Sequence, residues 1–226
     1  MKFKSGLVTQ VSGSFGGMTG SHNAGGLYFR ARSIPVNTNT IQQQVVRNLM
    51  SQLTSRWVNT LTQAQRDAWS VYASLTPIAD SLGDARPIPP LAMYVRSNIA
   101  RGQVGLSTID DGPTTAGLPT LSPVTFTAMP AADTVDVAFD NTDAWAIQLG
   151  GGLTVFASRP QNQTINFFAG PYRLAGVILG ATVPPTSPAN FALPFPIAPG
   201  QRVFFQVRAL DPDGRVSSPF RGSNDT

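Results

Sequence analysis

Two unlike halves share this chain, and the change of character between them constrains the fold more than any single motif. Up to about residue 109 the sequence opens with Gly/Ser-rich, strand-like stretches and continues in polar segments with helical spacing. Beyond Gly112 it breaks into short alternating runs separated by glycine and proline, the pattern of an antiparallel sandwich. A chain of 226 residues has room for one large or two small domains. Its 21 glycines and 19 prolines favour turn-rich β-structure over a helical bundle, yet fall short of a low-complexity composition.

Residues 5–33 read as strand, turn, strand. Leu7-Val8-Thr9-Gln10-Val11 is β-prone, Gly13, Gly16, Gly17 and Gly20 break it, Asn23-Ala24-Gly25-Gly26 is a turn, and Leu27 to Arg32 alternates as a second strand. Two strands alone are marginal in water, so this segment needs a neighbour, and its glycines permit another backbone to come close. After a polar connector, Pro35 to Thr40, Asn39 or Thr40 can cap a helix running to about Asn59. Ile41, Val45, Leu49, Leu53 and Trp57 make its apolar stripe. Thr62-Gln63-Ala64-Gln65 fits a capping box that opens a second helix with Ala68, Trp69 and Tyr72 inward. A third helix fits Leu91 to Gln103, with Leu91, Val95 and Ile99 on one side.

Asp110 to Gly117 has linker chemistry. The expected division is therefore a docking region over 1–109, a linker over 110–117 and a sandwich over 118–226. Strand signals in the last part are Val124/Phe126, Val135/Val137/Phe139, Trp145/Ile147/Leu149, Val155-Phe156, Ile165–Phe168, Tyr172–Leu179, Val203–Ala209 and Val216–Phe220.

Charge is sparse and uneven. All twelve acids are aspartate, and the bases are arginine apart from Lys2 and Lys4. Arginine suits interfaces, since its planar fork pairs carboxylates bidentately. Residues 1–109 carry a net +7 and residues 110–226 a net −3. A basic first half fits an acidic protein partner; nucleic acid is disfavoured because the arginines are scattered singly. There is no cysteine, which removes disulfide and thiolate chemistry. No apolar run reaches membrane-spanning length, and Met1-Lys2-Phe3-Lys4 is not followed by the apolar core of a signal peptide. The expected place of synthesis is the cytoplasm of the producing cell, where the chain stays until it is assembled or released, with no membrane partner.

The chemistry-bearing residues read as structure rather than catalysis. His22, the lone histidine, has no acid within fifteen residues and reads as a turn residue, not a metal ligand or triad member. Asp211-Pro212-Asp213-Gly214 has the look of a calcium loop, but the closing glutamate does not exist here and a tight turn accounts for it. Asp140-Asn141-Thr142-Asp143 is likewise a turn. Gly13–Gly20 lacks the Lys-Ser/Thr of a phosphate loop. Trp57, Trp69 and Tyr72 could form a carbohydrate platform, but their helical spacing favours core. Asn162-Gln163-Thr164 fits a glycosylation tripeptide, which is irrelevant if the producing cell is bacterial. No catalytic residue, metal or cofactor is assigned. The candidate docking interface is Gly16, Gly17, Tyr28, Arg30 and Arg32, with both arginines on one strand face.

Two resemblances sharpen this reading. Ile197-Ala198-Pro199-Gly200-Gln201-Arg202-Val203, with Val207-Arg208-Ala209 and Asp213-Gly214-Arg215-Val216-Ser217-Ser218 after it, resembles the end of a fibronectin type III domain. The tyrosine of that family's corner falls on Val203, so its hydroxyl bond is absent. The N-terminal part is similar to an uncharacterised family of tailed-bacteriophage virion proteins. The match lies in Ser12-Gly13-Ser14-Phe15-Gly16-Gly17-Met18-Thr19, Gly26-Leu27-Tyr28-Phe29-Arg30, Pro35-Val36-Asn37-Thr38-Asn39-Thr40, Gln43 to Arg47, and Thr62-Gln63-Ala64-Gln65-Arg66-Asp67-Ala68-Trp69.

The resemblances imply an α+β N-terminal region, a β-hairpin with two or three short helices, followed by an all-β fibronectin/Ig-like sandwich. They imply a non-enzymatic structural protein located in the virion. The expected role is capsid decoration or cementing, with the major capsid protein or other virion proteins and sister copies, as a trimer, for partners. The alternatives are a tail, neck or fibre-base component and, from another class, a module binding host-surface glycans.

Overall fold

The structure is a computed structural model that describes residues 12–23, 26–34, 39–79 and 84–226. The strand expected at Leu7–Val11, the turn tip Ala24-Gly25 and Pro35 to Thr38 of the connector lie outside the described residues.

The first described elements are β1 (Gly13–Phe15), β2 (Met18–Asn23) and β3 (Gly26–Ala31), an antiparallel sheet in the order β1-β2-β3. The glycines expected to break a strand here instead build the sheet. Gly13 and Gly20 pair with each other inside it, and Gly16-Gly17 form the β1–β2 turn, where Gly16 adopts φ 55°. That left-handed backbone suits a residue without Cβ. Phe29 stands opposite Gly20, so the sheet alternates large and absent side chains across neighbouring strands.

Three helices follow: α1 (Ile41–Asn59), α2 (Gln63–Leu75) and α3 (Pro90–Gln103), with a two-stranded ribbon of β4 (Ile78–Ala79) and β5 (Ala85–Arg86) before the last. The helix starts are written locally. Thr40 and Gln43 form a reciprocal cap, Gln43 N–H to Thr40 Oγ1 at 3.3 Å and Thr40 N–H to Gln43 Oε1 at 3.2 Å. Thr62 and Gln65 repeat it at α2, at 3.3 and 2.9 Å. Leu53, Leu61, Trp69, Tyr72, Ala73, Met93 and Tyr94 make the helical core, with Trp57 packed against it. Tyr94 lies between two indoles, its ring centroid 5.4 Å from Trp57 and 5.5 Å from Trp69. The aromatic trio of the sequence is core, as its spacing indicates.

The α1 stripe is split. Leu49, Leu53 and Trp57 face the core, whereas Ile41 and Val45 are 78% and 53% exposed. A stripe has to meet a second layer to be buried, and α2 and α3 cover only the C-terminal half of α1. On α3, Leu91, Val95 and Ile99 are half-buried, and the fully buried side is Met93, Tyr94, Ser97, Asn98 and Arg101.

Residues 110–117 are held against the helices. Trp69 Nε1 donates to Asp110 O at 2.8 Å, Gly117 N–H to Thr76 Oγ1 at 3.0 Å, and the Arg56 guanidinium grips the Asp110 carboxylate at 2.6 Å. Gly112 lies so close to α2 that a Cβ would sit 2.8 Å from the backbone of Ala68 and Trp69.

The remaining elements are β6 (Thr125–Met129), β7 (Thr134–Ala138), a one-turn α4 (Ala144–Ile147), β8 (Gly152–Ala157), β9 (Gln161–Asn162), β10 (Arg173–Leu179), β11 (Ala189–Ala192), β12 (Gln201–Leu210) and β13 (Phe220–Asp225). They form two antiparallel sheets, β11-β7-β6 and β10-β8-β12-β13, with β9 on one end of β12. The inward alternations of both sheets, including Phe126, Val135, Val137, Val155, Phe205 and Val207, interleave with Trp145 in one core. Phe126 and Phe205 stack across the sheets at 4.6 Å. This is the three-on-four arrangement of a fibronectin-like sandwich, following an α+β N-terminal region as expected.

Several strand assignments change. Trp145 and Ile147 lie in α4, not a strand, because Asp143 and Ser122 anchor a turn there: Ser122 N–H and Oγ reach Asp143 at 3.1 and 2.7 Å. Ile165–Phe168 has no ladder; it is held by the Asn162 turn and by Phe168 stacking on Phe204 at 5.7 Å. Val216 makes only an isolated bridge to Leu210, and β13 proper starts at Phe220 opposite Val207. Pro219 has no N–H to give, so the ladder resumes one residue out of step. The corner before β12 is closed without a tyrosine: Gln201 Oε1 accepts from Ala198 N–H, and Asp133 Oδ1 from Ile197 N–H, both at 2.8 Å.

The chain separates into two compact units, Met1–Gln44 and Val45–Thr226, so the division falls inside α1 and the helices belong with the sandwich. Within the second unit, Arg101 of α3 reaches three carbonyls: Ser107 O at 2.8 Å, Gly150 O at 3.2 Å and Pro212 O at 3.3 Å.

Candidate docking surface

Strand alternation in the first unit sorts its side chains into two faces. On one, Ser14, Thr19 and Arg30 stand in register across the three strands, with the Ser14 and Thr19 hydroxyls 3.2 Å apart. Tyr28, opposite Ser21, lies two residues along on the same face. Arg32 is just past β3, but its N–H still donates to Gly17 O at 2.8 Å, which carries the alternation on to it. The structure thus brings together all five candidate residues: Tyr28, Arg30 and Arg32 on one strand, and the Gly16-Gly17 turn bonded to the end of that strand. Arg30, Arg32 and both glycines are exposed and Tyr28 is half-buried.

The opposite face is apolar, a property that the charge pattern of the sequence does not announce. Phe15, Met18 and Ala31 form one cross-strand row, Gly13, Gly20 and Phe29 the next, and His22 and Leu27 the last. Phe15 is 87% exposed and Met18 46%. The signal was present in the alternation Ser14-Phe15 and Met18-Thr19, hidden because the surrounding glycines read as a break. His22 is exposed within β2, beside the hairpin end.

Among the residues of this unit whose burial is described, Gly20 alone is buried. Electrostatics reinforces the contrast between the units. Residues 1–44 contain Lys2, Lys4, Arg30 and Arg32 and no acid, leaving twelve bases against twelve acids in residues 45–226. The formal +4 of the chain is therefore the charge of its first unit.

The other sequence candidates resolve into turns. Asp211 and Asp213 each take an Arg215 nitrogen at 2.8 Å, so an arginine side chain occupies both carboxylates. Burial pushes the Asp211 carboxyl up despite that partner. Asp140 caps its own turn, accepting from Thr142 N–H at 2.8 Å. Among the described residues, no cluster of three metal-ligating side chains is found and no helix is long and apolar enough to cross a membrane. Compared with known families and with curated proteins, the chain matches no family model and no curated protein.

Proposed function

We propose that this chain is a non-enzymatic structural protein of a bacteriophage particle. Its N-terminal unit docks on a neighbouring polypeptide, and its helix-and-sandwich unit forms the projecting body. The specific role proposed is capsid decoration, fastening adjacent major-capsid subunits. One observation carries the reading: a three-stranded sheet with an exposed arginine face, an exposed apolar face and Gly20 alone buried among its described residues. Among its described residues such a sheet supplies no core of its own, and its small glycines admit another backbone. The unit is all positive, which fits an acidic protein surface and steers the encounter. Modest contacts of this kind hold firmly when a symmetric shell repeats them.

The test is association of the full-length chain with purified particles that carry it. The expected result is hundreds of copies per particle, with association lost on Arg30→Asp combined with Arg32→Asp. A handful of copies would move the protein to the tail or neck, and unchanged association of the double variant would refute charge-directed docking.

A further inference from the structure

Three arginines on the outer face of the four-stranded sheet have no carboxylate partner among the described residues. Phe205, Val207 and Ala209 of β12 point into the sandwich, so Phe204, Gln206 and Arg208 point out. Arg221 on β13 stands opposite Gln206, which makes Arg208 and Arg221 diagonal neighbours, about 7–8 Å apart at the backbone. The third comes from α3, whose end packs on this same face through Ala100 and Val104 against Leu210. There Arg96 donates Nη2 to Val216 O at 3.0 Å and Ser217 O at 3.2 Å.

The donors left over are the informative ones. Arg96 Nη1 and Arg208 Nε are buried without a hydrogen-bond partner. Buried polar groups are ordinarily paired, and a buried cation more so. Ser97 Oγ, one residue along α3 from Arg96, is also without a partner, whereas two other arginines are paired: Arg101 is met by three carbonyls and Arg215 by two aspartates. Asp225, at the end of β13, is taken by Arg202 at 2.5 Å. Burial first, then the charge of Arg208, holds the Arg96 guanidinium below its ordinary value; burial first, then the charge of Arg221, does the same to Arg208. Like charges have been drawn together at a seam that Arg221, exposed on its strand, leaves open to solvent.

We propose that this seam between α3 and the outer face of β12 and β13 binds an oxyanion of the phosphate or sulfate class. Guanidinium forks supply the matching charge-assisted hydrogen bonds, and Arg96 Nη1 and Arg208 Nε are the donors such an ion would satisfy. The site lies in the second unit and is independent of the docking role of the first.

The experiment is thermal unfolding of the full-length chain in sodium phosphate and in sodium chloride at matched ionic strength. Phosphate at ten times its Kd raises Tm by about 3–5 °C over chloride. Arg221→Gln and Arg208→Gln each lose more than half of that rise. In chloride alone, Arg208→Gln raises Tm, because the repulsion it suffers is gone. An equal Tm in the two salts, or an undiminished phosphate rise in both variants, overturns the site. If Arg208→Gln fails to fold, the exposed Arg221→Gln decides it alone.

Discussion

Gly151 and Gly180 both face the main-chain carbonyl of Trp145, and at either position a Cβ would collide with that oxygen. Gly180→Ala is expected to destabilise the sandwich by about 2–3 kcal/mol, because the clash is with backbone that cannot swing away; urea unfolding measures it. The sequence offers the triple glycine 150–152 as a punctuation mark, and its purpose is a close approach that only the fold reveals. The alternation Trp145/Ile147/Leu149 misleads for a related reason: Trp145 is buried whereas Leu149 is 81% exposed, a helical turn leading into a loop. A second residue-scale expectation concerns Asp110. Hydrogen bonding from Arg56 holds its carboxyl below the ordinary value of 3.8. A depressed carboxylate stabilises the fold above its unfolded pKa, and that contribution disappears as pH falls through the folded one. Arg56 is half-exposed, so the pair contributes no more than about 1 kcal/mol. Asp110→Asn should therefore lower stability slightly at neutral pH and flatten the acid limb of a stability–pH curve; an unchanged acid limb would remove the ion pair from the account.

Elements were legible where their signal is local. The Thr62–Gln65 cap could be read from a Thr and a Gln three residues apart, and of the two candidates at α1, Asn39 and Thr40, it is Thr40 that makes the same kind of cap with Gln43. The alternating strands β6, β7, β8, β10 and β12 were equally plain. What tertiary structure decides was not: β11, a short Ala-Asn-Phe-Ala strand after Pro188, carries too little pattern to announce itself. The inward side of α3 is another case. Its apolar i, i+4 stripe is only half-buried, while Ser97, Asn98 and Arg101 face inward because the helix rests between the helical core and the sandwich loops. Asn98 shows the logic, exchanging two hydrogen bonds with the backbone of Ile109, at 2.8 and 3.0 Å. Arg101→Met keeps the stem and removes the donors, stranding the Ser107, Gly150 and Pro212 carbonyls; about 3 kcal/mol of stability should be lost in chemical denaturation. A cost below about 0.5 kcal/mol would mean that α3 is held by its apolar contacts alone.

At the scale of the molecule, a neutral unit with three hydrophobic core clusters stands in one chain with a basic unit that has none among its described residues. Tyr28, Arg30 and Arg32 were legible as one strand; the Gly16-Gly17 turn, which reads as a break, and the apolar face behind were not, since the glycines hid the register. Unpartnered, such a sheet should open at little free energy, whereas the sandwich opens only by global unfolding. Amide hydrogen exchange on the full-length chain, free in dilute solution and assembled on particles, measures this directly. Amides of residues 18–23 and 26–32 are expected to exchange orders of magnitude faster than those of β8 and β12 in the free chain, and to become protected on assembly. Protection in the free, monomeric chain equal to that of the sandwich, and unchanged by assembly, would contradict it.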